Sequence, residues 1–596
     1  MNVLGVLCGL LTGLIAASSG HAAHGVSLDG TLKYAKGFQR FAYTSPEAVS
    51  GGELILHSQG SFDKLNPFTL KGVAARGMEH YVFETLAVSS LDEPFAMYGL
   101  LAKDIELTQD HRAVVFTLDE RACFSDGSPV TAEDVRYSLE TLKGKDAHPF
   151  YQIYFKDIAS ADILDTRKIR FNFSRVNREL HMIAAQLPIV SRAYFQQYGF
   201  NQATSFAHPP VGSGPYVVDQ VINGKTIKYK KNTKYWAIDH PTRRKQFNFT
   251  GITIKYFKDP VVSLEAFKSG EFDLLNVTIA KQWQRDLTGR RFANGELLKK
   301  AFPHRNTAGM QGFVFNTRNQ LFADRDVRKA LGLAFDFEWT NASLFYGQYK
   351  RTTSFFANSA MAATGLPKGK ELALLERFRS SLPKEVFTTP LTPPVTTAPS
   401  SLRTNLRQAS RLLKARGWQV RDGKLTHQDG RIFKFSILLA NSSFERVMAA
   451  YAANLRKLGI EVDYRTVDAA LYTDRVRSFD FDMVVGVFGQ SQSPGNEQRD
   501  FWGSDAATHK GSRNLAGIND PVVDALVEEV VYATTREELV TACRALDRVL
   551  WYGYYVVPNW YLDAYRFGFR AGLRYPQTLP LYYGPMQFID TWWQGQ

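Results

Sequence analysis

Cysteine is nearly absent from this chain: three residues in 596, and Cys8 sits inside an apolar opening run. Cys123 and Cys543 are too few for a disulfide framework or a thiolate metal site. One bridge between them is open. Cys543 shares a helical face with Leu539, Leu546 and Leu550, which favours a buried thiol. Catalytic signatures are missing as well. There is no HExxH, phosphate-binding loop, GxGxxG or nucleophile elbow, and Gly489-Gln490-Ser491-Gln492-Ser493 misses the last by its final residue. The twelve His show no metal-ligand spacing. After the first residues no run approaches the roughly 18 apolar residues of a membrane span. The net charge of +14 is scattered, with short knots only at Lys225–Lys234 and Arg243-Arg244-Lys245. A nucleic-acid protein clusters its basic residues, so no such partner is expected. Nor is a cofactor or a metal. A hydrolase is disfavoured but stays open, because a triad assembles in space rather than in sequence.

What is present is an ordinary globular composition, 44% hydrophobic and 22% charged, in a chain too long for one core. Residues 1–23 carry no Asp, Glu, Lys or Arg, and Val3 to Ala17 is nearly all apolar. This reads as a secretory signal peptide cleaved near Ala22 or Ala23, although its n-region lacks Lys and Arg. The mature chain is then exported.

The stretch Phe479–Glu497 is the focus. Asp482–Phe488 is β-branched and apolar, a buried strand. Gly489–Glu497 has no large apolar residue, two Gly, one Pro and several amides and hydroxyls. Small residues admit a foreign backbone, and amides and hydroxyls bond it. A surface turn fits the same letters. The neighbouring pattern adds context. Asn405–Arg416 is a helix stopped by Gly417. Phe433–Ala440 is a strand, Ser442-Ser443-Phe444-Glu445 a capping box for helix Arg446–Leu458, and Ile460–Val467 the next strand. Strand, helix and strand at this spacing form a βαβ unit with parallel sheet, hence an α/β fold. Ligands of such sheets sit beyond the carboxyl ends of strands, which puts Gly489–Glu497 at a ligand edge. Thr131-Ala132-Glu133-Asp134 and Thr535-Arg536-Glu537-Glu538 are further capping boxes. Residues 381–400, with five Pro and five Thr, are an extended loop. The aromatic C-terminus reads mainly as core, with Trp560 and Tyr561 as candidates for a cleft wall.

Six segments in order resemble one family. They are Leu65-Asn66-Pro67, Phe124–Val135, Pro210–Tyr216, Tyr235-Trp236, Ala266–Asp273 and Asp326–Leu331. Together they are similar to the extracellular solute-binding proteins of family 5, receptors of ABC importers. His24–Ser27, Asn306–Asn316 and Gly489–Gln498 narrow the resemblance to the Yej-type subgroup, which takes up oligopeptides and the peptide–nucleotide microcin C. The resemblance implies a two-lobed periplasmic-binding-protein fold (type II, cluster C) with a hinge and an extra subdomain in lobe 1. It implies an N-terminal extension at 24–50 and a lobe 1 core from 51–75, 200–305 and 556–596. The extra subdomain is then 76–199 and lobe 2 is 306–555. It also implies a monomer with no chemistry of its own, which binds an extended oligopeptide and meets an inner-membrane permease and ATPase. Receptors for an opine, oligosaccharide or metal chelate share that fold.

By position, the resemblance assigns ligand contacts to Ser61, Phe62 and Asp63 from one lobe. From the other it assigns Phe488, Gly489, Gln490 and Ser491; Asn496 and Glu497 of the same polar tail and Trp560 of the aromatic C-terminus complete the candidate ligand contacts. Peptide receptors of the family commonly place an Asp near the position of Ser491 to hold the peptide ammonium. No acid occurs here from Gly486 to Asn496. An unpaired buried ammonium is costly. The expectation is therefore that a free amino terminus is not required, or that Glu497 or Asp63 replaces the missing acid.

Overall fold

A computed structural model describes residues 22–28, 30–201 and 206–595. The expected signal peptide lies almost wholly outside the described residues. Among the described residues, no helix is long and apolar enough to cross a membrane.

The first lobe is built on the four-stranded sheet Tyr216–Ile222, Thr226–Lys231, Gly251–Phe257, Glu53–Gln59, whose last pair is parallel. Alternation along these strands sends Leu54, Leu56, Ile252 and Ile254 into the core. A second, antiparallel sheet runs Leu274–Asn276, Ala564–Arg570, Leu297–Pro303. Inserted in sequence between Glu53–Gln59 and Tyr216–Ile222, a four-stranded antiparallel sheet (Ala102–Leu107, Ala113–Leu118, Lys168–Phe173, Ile158–Asp165) carries helix Ala132–Lys143. Asp134 caps that helix by accepting from the Thr131 N–H at 2.9 Å, and the Thr131 hydroxyl donates to the same carboxylate at 2.7 Å, so only the Asp134 half of the expected capping box forms. This subdomain shares one continuous core with the rest of the lobe. The lead-in residues join it: Gly25–Ser27 pairs with Ala96–Gly99, and Phe41 and Tyr43 are buried.

The second lobe has a five-stranded sheet ordered Glu461–Thr466, Lys434–Leu439, Met483–Phe488, Met310–Phe315, Val556–Pro558. The first three strands are parallel, as the βαβ reading requires, and Met310–Phe315 is antiparallel to both its neighbours. Helices cover both faces, so Val484 and Met483 both end in apolar clusters, on opposite sides. Val556–Pro558 hydrogen-bonds into this sheet and Trp560–Tyr561 pairs with Lys350–Arg351. The chain therefore returns to the first lobe after Tyr561, not at the expected 556. The helix after Asn441 also starts differently. Ser442–Phe444 forms a tight turn capped by Asn441, and helix Glu445–Arg456 follows. Asn441 takes the capping place expected for Ser442, and the Glu445 carboxylate accepts the Thr466 hydroxyl at 2.7 Å instead of closing a capping box. The box at Thr535 and Glu538 does form. Cys543 is fully buried, and neither it nor Cys123 is bridged.

Two chain segments cross between the lobes, around 304–309 and 559–563. They touch each other where His304 N donates to Asp563 O at 3.0 Å. Such paired crossings are where a hinge absorbs backbone rotation.

Candidate functional site: an acidic cavity between the lobes

Strand Met483–Phe488 ends at Phe488, whose ring is buried 4.6 Å from Trp502 and 5.8 Å from Phe501. Past that anchor the chain has nothing left to bury. Gly489 is exposed, and a Cβ there would meet no atom within 4 Å. The space it faces is a cavity of about 440 Å³, within the usual range for ligand sites. Gly489, Ser491, Ser493 and Glu497 line it from the second lobe. The opposite wall comes from the extra subdomain: the aromatic helix Pro149–Tyr154, and Glu179 with Met182 and Gln186 around helix Leu180–Ala185.

The walls are already in contact. Asn496 is fully buried and donates Nδ2 to Tyr154 O across the boundary at 3.1 Å. The Ser493 hydroxyl donates to Glu179 Oε1. Arg178 reaches from the first lobe to Ser493 Oγ, Pro494 O, Val530 O and Ala533 O, and to its neighbour Glu179 at 2.6 Å. Gly495 makes this fit possible, since a Cβ there would collide with Glu179 Oε2 and lie 3.7 Å from Glu497 Oε2. Two carboxylates from opposite lobes thus converge on one spot. Burial pushes the Glu179 carboxyl up to about 7. The Arg178 guanidinium opposes this, the Glu497 carboxylate adds to it, and the Ser493 and Arg178 hydrogen bonds offset part. A third acid, Glu79, receives the Tyr151 hydroxyl at 3.1 Å; the protein around it raises its carboxyl, although the side chain still faces open space. Arg513 is stacked 4.2 Å from the Phe501 ring centroid and 4.9 Å from that of Phe150, and is neutralised by Asp500 at 2.6 Å. The cavity therefore has surplus negative charge. It holds hydrogen-bond acceptors for a cation and aromatic faces for apolar groups.

Of the residues singled out from sequence, Gly489, Ser491 and Glu497 line this cavity. Phe488 and Asn496 are buried supports just behind it. Gln490 is paired with Gln498 at 2.7 Å, and Gln498 in turn takes the Trp502 indole N–H. The first-lobe group lies elsewhere. Phe62 is buried against Tyr256, and Asp63 accepts from Val73 N at 2.6 Å. Ser61 is exposed, next to Gly60, which faces Ala469 of the second lobe. Trp560 is buried in the second-lobe core, 4.5 Å from Phe345. The structure does not bring these four to the cavity: strand Glu53–Gln59 ends on the side that meets helix Ala469–Arg477, and Trp560 packs inward against Phe345. Sequence reasoning missed Glu179, Glu79 and the aromatic helix. The run Phe150-Tyr151-Gln152-Ile153-Tyr154-Phe155 after Pro149 is the one signal that marks them.

The model of bacterial extracellular solute-binding proteins, family 5 Middle, matches residues 96–510. The chain belongs to this family. It stands with the Yej-type members: it is 39% identical over 581 residues to the probable peptide-binding protein YejA of Agrobacterium fabrum, covering 96% of this chain and 94% of the relative. It is 34% identical over 590 residues to the peptidoglycan-binding protein YepA of the same organism, at 96% and 95% coverage. Among solved structures, the oligopeptide-binding protein AppA of Bacillus subtilis, in complex with a nonapeptide, superposes with a TM-score of 0.74. It shares 18% identity, covering 92% of this chain and all of that one, so the likeness is one of fold. Family 5 solute-binding proteins share the two-lobed α/β architecture seen here.

Proposed function

We propose that this protein is the periplasmic receptor of an ABC importer, which encloses an oligopeptide between its lobes and delivers it to an inner-membrane permease and ATPase. The observation that carries this reading is the interlobe cavity with Glu179 and Glu497 contributed by opposite lobes. An α-ammonium bound there touches both lobes at once, so ligand and closure stabilise each other. Glu497 thereby supplies the acid missing near Ser491, with Glu179 as its counterpart, and Asp63 has no part in it. The exposed backbone of Gly489–Ser491 offers sequence-blind hydrogen bonds, which suits a receptor that accepts many peptides. The names of the relatives agree: one is described as peptide-binding, another as peptidoglycan-binding. The second name favours a related reading, a peptide that carries a cell-wall sugar.

Mass spectrometry of ligands released from the purified protein tests both. Short peptides support the first reading, glycopeptides the second, and an opine or metal chelate overturns both. Calorimetry with peptides against free sugars gives an independent answer. Recovery of every peptide intact after incubation distinguishes the receptor from a hydrolase.

A further inference from the structure

A second chamber of about 380 Å³ lies beyond the first, inside the first lobe. Glu79, Ser89 and Gln186 border both, and all three are exposed, so open space rather than packed side chains joins the two. Beyond Glu79 at its neck, its polar groups are largely engaged with one another. Glu84 is fully occupied by the Tyr235 hydroxyl, the Trp236 indole N–H at 3.1 Å and Arg243 Nε at 3.2 Å. Asp590 Oδ2 is held by His80 Nε2 at 2.7 Å.

Hydrogen-bonding capacity nevertheless remains. Asp590 is 6% exposed, and its Oδ1 has no partner. A buried acceptor without a donor is a standing cost that a ligand removes. Gln246 commits its amide nitrogen to Thr242 O, and Gln587 commits its amide oxygen to Gly584 N. Each is left with the complementary half of its amide. Phe83 and Phe247 supply apolar walls.

We propose that this chamber is a second ligand subsite, which takes a neutral arm bearing amide or hydroxyl groups. The argument is one of complementarity. An anionic arm would face Glu79, Glu84 and Asp590 while Arg243 is already committed to Glu84, and a cationic arm, which only donates, would leave the Gln587 amide nitrogen without an acceptor. An apolar arm would leave Asp590 Oδ1 and both glutamine amides unsatisfied. A neutral group that donates and accepts satisfies all three. The proposal rests on the interlobe cavity being the ligand site, and adds that the ligand turns through the neck at Glu79 and Gln186.

The test is calorimetry on the full chain with trialanine and its three single-glutamine isomers. The best glutamine isomer binds wild type at least about tenfold tighter than trialanine. Gln246→Phe fills the chamber and Asp590→Leu removes both carboxylate oxygens at similar volume. Both bring that isomer to within about twofold of trialanine and leave trialanine itself unchanged. No gain in wild type, or a gain that survives both variants, overturns the subsite. If trialanine does not bind at all, the peptide reading fails and the chamber is judged separately. Crystals soaked in propionamide then decide: density against Asp590 Oδ1 upholds the subsite, and its absence there overturns it.

Discussion

Arg499 and Arg178 each carry a positive charge into the boundary between the lobes, with opposite outcomes. Arg499, from the second lobe, sits between two carboxylates. It bonds Asp157 of the first lobe at 2.8 Å, holds Glu528 through two parallel bonds of 2.8 Å, and bonds the Tyr532 hydroxyl. Burial alone would lower its pKa, but the Glu528 and Asp157 bonds outweigh this and raise it. Arg178, from the first lobe, spends most of its donors on the carbonyls of Pro494, Val530 and Ala533. Only Glu179 receives a charged bond from it, while Glu497 stands nearby. The first contact is saturated and works as a clasp. The second is unsaturated, because Arg178 and Arg536 spend most of their donors on main-chain carbonyls, and a proton or a ligand cation completes it. Closure is therefore held at one place and conditioned at the other.

Breaking the clasp gives the largest effect. Arg499→Met strands the buried carboxylate of Asp157, and loss of one partner of a buried pair costs about 3–5 kcal/mol. The closed form then weakens by more than about a hundredfold. Small-angle scattering shows an expanded particle and calorimetry a matching loss of peptide affinity. Unchanged scattering and affinity would show that Arg499 has no clasping role. Next comes the unsaturated contact. Glu497→Gln keeps the shape and removes charge, at a cost of about 1.5–3 kcal/mol for a charged hydrogen bond. Peptides with a free amine lose roughly 10- to 100-fold in affinity, and their N-acetylated forms lose nothing. Equal losses for both would remove the ammonium from the model.

The third effect is a pH dependence confined to the unsaturated contact. Glu179 is buried beside Arg178, Arg536, Glu497 and Tyr154 when the lobes are closed, with its carboxyl near 7. In separated lobes water reaches it and its pKa falls to the usual 4.5. The closed form thus binds the extra proton between those values. Unliganded closure is strongest near the lower value, weakens as pH rises toward 7, and is flat above. The closed-to-open ratio changes by up to roughly tenfold per pH unit within that window. Scattering from ligand-free protein across the range measures it, and Glu179→Gln flattens the curve. Asp547 is also pushed up to about 7, but it lies inside the second lobe, bonded to Ser354 and to the Phe355 and Ala363 N–H groups. It stays buried when the lobes part and contributes nothing to the slope.

The contrast between the two contacts explains what could be read from sequence. The second lobe's βαβ unit was legible because Gly417 and Gly459 punctuate strong apolar periodicity, and contacts within the unit are local. The loop after Phe488 was legible for a related reason: the composition changes abruptly from β-branched to small and polar. Glu179 carried no such mark. It sits in an ordinary polar stretch, and its partner Ser493 is 314 positions away. Nothing local distinguishes a carboxylate that will be buried opposite another from one that will face water. Ser61–Asp63 failed to reach the cavity for the complementary reason: a resemblance fixes the order of elements, while the side on which a strand ends depends on how the lobes dock.

Ser493→Ala probes the smallest part of the comparison. The Ser493 hydroxyl both donates to Glu179 and accepts from Arg178 at 3.2 Å, so it links the guanidinium to the carboxyl. A single such bond is worth about 0.5–1.5 kcal/mol, or roughly a 2- to 12-fold change in closure. A purely structural serine would lower closure equally at every pH. A serine that stabilises the ionised carboxylate does something else. Its loss raises the Glu179 pKa further, so the pH at which unliganded closure levels off moves upward. Closure at low pH, where Glu179 is protonated in either protein, is reduced less than closure above 7. An upward shift of the plateau marks Ser493 as part of the unsaturated contact, and a uniform drop assigns it to packing alone.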